Sequence, residues 1–266
     1  MILRKSVKGD YTQLKTYRSI ALLNTLGKAL ESILTTRISF AAEEFELLPR
    51  RHMRGRKAKG TELALQMLMK TIHATWLRKK IATMLLLNIM RAFDNLFHTR
   101  LIHNLRKRRI DNNMINWILS FLSNRSTIIL LSKFISETFE TSTGISQESL
   151  ISFLFYLFYN ADLMKEEKNY SMINLKYIDN VAKIVTESST KINCRKIESL
   201  FKARKHPWSQ KHASKFASTK FQLLHFKKST KTRSSSEDDT LHLKEHTIES
   251  RDTEIYLEVL LNKKLR

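Results

Sequence analysis

Glycine and proline are scarce: 5 and 2 residues in a chain of 266, where about 7% and about 5% are usual. Turns draw on glycine because it accepts φ > 0, and on proline because it pre-sets φ. Either the chain is mostly helical or its loops use other residues. A single cysteine, Cys194, excludes an internal disulfide framework and suits a reducing compartment. The longest apolar run, around Phe153 to Tyr159, is too short to span a bilayer. The opening Met1-Ile2-Leu3-Arg4-Lys5 does not make a signal peptide. These absences lead to the expectation of a soluble, intracellular protein, cytoplasmic or nuclear, with no membrane partner. Acidic residues are also few, 25 against 47 Lys and Arg, which leaves a formal net charge of +22. An excess of that size repels itself and attracts polyanions, so nucleic acid is the expected partner.

What is present is organised around Met84 to Asn180. The first anchor is Leu87-Asn88-Ile89-Met90-Arg91-Ala92-Phe93-Asp94, and the second is Tyr177-Ile178-Asp179-Asn180. Each sets a short polar group at the end of an apolar, β-prone run, where a sheet can present metal ligands to a cleft. Between them lies Ser142-Thr143-Gly144-Ile145-Ser146-Gln147-Glu148-Ser149, followed by a long apolar segment. This order resembles the palm of a reverse transcriptase, of the non-LTR (LINE-like) retrotransposon group. The family patterns are L-D-x-x-x-A-F-D, then T-G-x-P-Q-G-S-P-L-S-P, then [FY]-x-D-D. In this chain Asn88 and Asn180 stand where the family has Asp, and Glu148 stands where it has Gly.

The resemblance continues on both sides. Lys5 to Leu23 is similar to the basic opening of the family's fingers, with Ser6, Leu14 and Ser19 in place of Pro. Asn24 opens a helix in which Leu30, Ile33, Leu34, Ile38 and Ala41 recur at three- and four-residue steps, opposite Lys28, Glu31 and Arg37. A basic loop from Arg50 to Thr61 follows, then a helix from Glu62 to Lys80. Asp94 is a plausible cap for a helix over Asn95 to Arg109. Ser126 to Phe139 alternates like a hairpin, and Ser149 to Leu163 reads as a buried helix. Phe216 to Phe226 resembles the family's F-A-P-x-K-x-x-L-x-H-F strand, and Tyr256 to Asn262 its Y-L-G-V-x-L-D, with Glu258 for Gly. The implied fold is α+β: fingers over 1–80, a palm over 81–226, a polar loop over 227–252 and a terminal palm strand over 253–266, with no thumb following. The antiparallel palm sheet is expected from the segments near Asn88, Asp179, Phe221 and Tyr256, backed by helices.

By the resemblance, nucleotide addition needs two Mg²⁺ ions held by carboxylates. Their positions here are Asn88, Asp179 and Asn180. An amide keeps the shape of a carboxylate but not its charge, so three acids fall to Asp179 alone. The resemblance places Arg18, Phe93, Gln147 and Lys220 near the incoming dNTP, and Arg54, Arg56, Lys57 and Lys59 along the template strand of an RNA or DNA template–primer. For each the plainer alternative stays open: a surface Arg, a core Phe, an exposed Lys, a solvated loop. Glu148 adds bulk and negative charge where a phosphate would approach. The expected function is therefore that of a reverse transcriptase by family, template-directed DNA synthesis from dNTPs, with the catalytic centre broken in this copy. The alternative is a basic nucleic-acid-binding remnant. Asp→Asn, Gly→Glu, Pro→Ser and Pro→Leu are all reachable by C-to-T change on one DNA strand or the other, which suggests a decayed mobile element; Lys57, where the family often has Pro, does not fit that route, and an excess of other substitution types among related copies would refute the idea.

Overall fold

The computed structural model describes residues 2–4, 10–13, 16–20, 22, 24–131, 134–146, 149–164, 171–178, 180–212, 214–228, 240–243 and 246–265. In chain order the elements begin with β1 (Ile2–Arg4), β2 (Tyr17–Ser19), α1 (Thr25–Glu44), β3 (His52–Met53), α2 (Thr61–Leu77) and β4 (Ile81–Asn88). Then come α3 (His98–Lys107), α4 (Asn112–Leu122), β5 (Ser126–Thr127), β6 (Leu130–Leu131), β7 (Phe134–Ile135), β8 (Phe139–Glu140) and α5 (Leu150–Asn160). The series closes with β9 (Met172–Tyr177), β10 (Asn180–Glu187), α6 (Thr190–Leu200), α7 (His206–Lys211), β11 (Gln222–Phe226) and four strands, β12 (Thr240–Leu243), β13 (His246–Glu249), β14 (Thr253–Tyr256) and β15 (Val259–Asn262). None of the described helices is long and apolar enough to cross a membrane.

The chain divides into two compact units, Met1–Leu47 with Arg91–Tyr159, and Leu48–Met90 with Asn160–Arg266. The second holds a five-stranded sheet in the order β11-β4-β10-β9-β3. Four of its strands pair antiparallel, as expected of the sheet, and β3 joins β9 in parallel at the edge. β4 reads as a continuous apolar run because both its faces are covered. Ala82, Met84 and Leu86 share a core with Ala64, Leu68 and Ile72 of α2. On the other face the Thr83 hydroxyl meets Asn193 of α6 at 2.9 Å and His225 of β11 at 2.8 Å. Burying these polar groups is tolerable because they bond to one another.

In the first unit Asn24 caps α1, its Oδ1 accepting from the Gly27 amide at 2.6 Å, and Asp111 caps α4 in the same manner. The expected apolar stripe of α1 is rotated: Glu31, Leu34, Ile38 and Ala42 are buried, while Leu30 and Ile33 are exposed. Glu31 is accommodated because the Ser149 hydroxyl donates to its carboxylate at 2.9 Å. Asp94 does not cap α3, which starts four residues later behind Phe97 without a side-chain cap. The alternating stretch after α4 forms the expected reversal, as two nested pairs, β5 with β8 and β6 with β7.

Two expectations near the C-terminal end are corrected. Within 227–252, the polar composition pointed to a loop, yet β12 and β13 pair as a hairpin whose inward Leu241, Leu243 and Ile248 are buried; residues 229–239 lie outside the described set. The strand at Tyr256 pairs with β15 and not with the five-stranded sheet. The free edge of β11 is met instead by a single bridge from Ser250, with the Arg251 amide donating to Leu223 O at 2.8 Å.

Scarce glycine leaves a mark on the backbone. Eleven described non-glycine residues have positive φ, among them Glu46, Lys79, Arg109 and Asn124, each just past the end of a helix where glycine is usual. Leu257 (φ 51°) and Glu258 (φ 67°) form the two-residue turn between β14 and β15. Such a turn prefers Asn-Gly.

Candidate functional site

The two anchors meet through sheet register. Asn180, the first residue of β10, lies opposite Asn88, the last of β4, and also opposite Tyr177 at the end of β9. Hence the reversal from β9 into β10 falls between Tyr177 and Asn180, with Ile178 in it. Ile178 adopts φ 55°, a conformation that costs a β-branched residue about 1–3 kcal/mol. Asp179 lies outside the described residues. The Asn88 amide donates to Asn180 Oδ1 at 3.1 Å. Two carboxylates could not make this bond; a pair of amides satisfies itself without a cation.

Whether these residues suit a divalent metal follows from the same pair. Mg²⁺ takes anionic oxygens in octahedral array. Asn88 and Asn180 offer one neutral carbonyl oxygen each, and one of the two is already engaged. Among the described residues no group of three His, Cys, Asp or Glu side chains converges. The described donor set does not fit the metal pair.

A cavity of about 370 Å³ opens beside the amides, lined by Asn88, Asn180, Lys220, Arg251 and the apolar Leu86 and Phe221, with Tyr256 among its other walls. Lys220 is exposed there, and its ammonium has no partner among the described residues. Arg251 is held by Glu254, Nη1 to Oε2 at 2.8 Å, and the same carboxylate accepts from the Gln222 amide. Burial, reinforced by the neighbouring Tyr177 phenol, pushes the pKa of the Tyr256 hydroxyl up, so this group stays neutral. Nothing in the sequence marked Arg251 as part of this site, because β13 had to fold back onto β11 to bring it there.

The other expected residues are dispersed over the two units. Arg54 lies with its guanidinium 5.4 Å from the Tyr177 ring centre. Arg56 turns inward and donates to Pro49 O at 2.6 Å, so it braces its own loop. Lys57 is exposed and Lys59 half-buried, its carbonyl accepting from the Arg54 amide at 2.7 Å. In the first unit the half-buried Phe93 stacks on Tyr156 with centroids 5.0 Å apart and meets Phe153 edge-on. The backbone of Arg18 is in β2, paired with Leu3, and its side chain lies outside what is described, as does all of Gln147.

Gly144 explains itself. Its φ is 81°, and a Cβ there would stand 2.8 Å from Asp94 O. Its amide donates to Leu96 O and that of Ile145 to Phe93 O, so this glycine binds the middle motif to the chain just after the first. Nearby, burial pulls the Arg125 pKa down and the Glu31 carboxylate opposes the shift; Arg125 also donates to the Ser146 hydroxyl.

The sequence matches the family model described as reverse transcriptase (RNA-dependent DNA polymerase) over residues 4–243. No curated protein matches. The fold is similar to an apo telomerase from Candida tropicalis truncated of its C-terminal domain, with TM-score 0.60 and 13% identity over 90% of this chain and 44% of the other. It is also similar to the Candida tropicalis telomerase in complex with a fragment of telomeric RNA, with TM-score 0.61 and 12% identity over 91% and 37%. A Candida albicans telomerase gives TM-score 0.53 and 9% identity over 90% and 38%. The chain thus spans less than half the length of each of these structures.

Proposed function

Since this chain belongs to the reverse transcriptase (RNA-dependent DNA polymerase) family, we propose that it is a copy of the non-LTR type that has lost DNA synthesis and keeps contact with nucleic acid. The observation that carries the reading is the hydrogen bond between Asn88 and Asn180. Synthesis on dNTPs with Mg²⁺ draws on carboxylates at these positions. Removing two of them, at several kcal/mol each, removes several orders of magnitude of rate. Retained binding is supported by the net charge of +22 and by Arg54, Lys57 and Lys59 on the loop beside Tyr177. Arg56 is outside this group, since its guanidinium serves the loop carbonyls.

Primer extension on an RNA template tests the first half, run with the natural chain and with an Asn88→Asp, Asn180→Asp variant. Mg²⁺-dependent product from the natural chain would overturn the loss of synthesis. Salt titration of RNA affinity tests the second half, since phosphate contacts weaken linearly in log salt. Affinity indifferent to salt would end that reading.

A further inference from the structure

The described lining of the cavity beside the amide pair is rich in N–H donors. We infer that it binds a phosphate monoester dianion without any divalent cation. The inference rests on the reading that Asn88 and Asn180 no longer hold metal, and its support is an inventory of donors. A carboxylate only accepts, whereas a carboxamide presents two N–H groups. One from Asn88 goes to Asn180 Oδ1, which leaves one on Asn88 and two on Asn180 with no partner among the described residues. Lys220 adds an ammonium that has no described partner either.

Arg251 spends Nη1 on Glu254 and keeps its other N–H groups. Both oxygens of Glu254 are taken, one by Arg251 and one by Gln222, so this acid positions the guanidinium. The described lining therefore carries two cations and no acid. Asp179, adjacent in sequence, lies outside the described residues, and the titration weighs its charge directly. Leu86, Leu87 and Phe221 are also in the lining, and beside apolar groups charge–dipole interactions are stronger than in open water. Its 370 Å³ falls at the small end of the range for small-molecule sites, about 300–1,000 Å³.

The experiment is a calorimetric and ³¹P NMR titration of the whole chain in EDTA, first with inorganic phosphate and then with a deoxynucleoside monophosphate. Saturable binding of either probe is expected. Lys220→Gln should weaken it about tenfold, the scale of one charge-assisted hydrogen bond, and Lys220→Arg should restore it. Asn180→Asp, which sets an acceptor and a negative charge among the donors, should abolish it. Residues 180 and 220 are exposed, so thermal unfolding should show both variants folded. No saturation in EDTA overturns the inference, as does a requirement for Mg²⁺, or an affinity unchanged in both Lys220→Gln and Asn180→Asp. A failed titration leaves the loss of synthesis standing, while primer-extension product sinks that loss whatever the titration gives.

Discussion

Replacing Asn88 and Asn180 by aspartate together sets two carboxylates where amide atoms now touch at 3.1 Å. The amide hydrogen bond goes, at a cost of about 1 kcal/mol. Two unit charges about 4 Å apart repel by about 1 kcal/mol in water and about 4 kcal/mol at an effective dielectric of 20. Asn180 is exposed and Asn88 half-buried, which puts the repulsion toward the lower figure. The sum is about 2–3 kcal/mol, and for a chain of this size each kcal/mol moves Tm by roughly 2–4 °C. The double variant should therefore melt roughly 5–10 °C below the natural chain in EDTA. A divalent ion that binds the paired acids at a hundredfold its Kd returns about 2.7 kcal/mol. Millimolar Mg²⁺ should therefore recover most of the loss in the variant and leave the natural chain unmoved. Scanning calorimetry with and without Mg²⁺ reads both. The reasoning is refuted if the double variant shows no Mg²⁺ response, or if the natural chain shows the same one. The single variant Asn180→Asp keeps an acceptor for the Asn88 amide and should lose less than half as much.

Gly144→Ala should destabilise the chain by about 2–4 kcal/mol, because φ 81° and a contact of 2.8 Å to Asp94 O act together; urea unfolding measures it. Glu258→Gly should do the reverse, gaining about 0.5–1 kcal/mol at an exposed turn residue held at φ 67°, and an unchanged or lower Tm would contradict the strain. Neutralising Lys57 by alanine should weaken RNA binding and reduce the log–log salt slope by about 1, whereas Arg56→Ala should act through stability, since that side chain braces Pro49 O and His52 O. Glu187 accepts from Lys196 and from Lys80, and the Lys196 hydrogen bond is the chief cause that lowers its pKa. A depressed carboxylate stabilises the fold above the unfolded-state value, about 4.3, and loses that contribution as pH falls through the folded value. Glu187→Gln should therefore flatten the acid limb of Tm against pH.

Much of the fold was legible locally. The apolar run of β4, the capped start of α1 at Asn24 and the hairpin through Ile178 all follow from patterns within a few residues of one another. Equally, the sequence by itself determined that positions 88 and 180 carry amides and no carboxylate, since no folding gives a side chain a charge that it lacks.

Tertiary structure decided the rest. Which face of α1 is inward depended on Ser149, 118 positions away, offering a hydroxyl to Glu31; the apolar period alone pointed to Leu30 and Ile33. Phe93 became a partner of Tyr156 because α5 presents that ring to it. Arg251 reached the cavity because the β12–β13 hairpin folds its exit against β11. The joining of Asn88 to Asn180 is a matter of register across 92 residues, set by burial on both faces of β4 and β10. A one-residue slip would turn every one of those side chains to the opposite face, and that constraint belongs to the packed sheet as a whole.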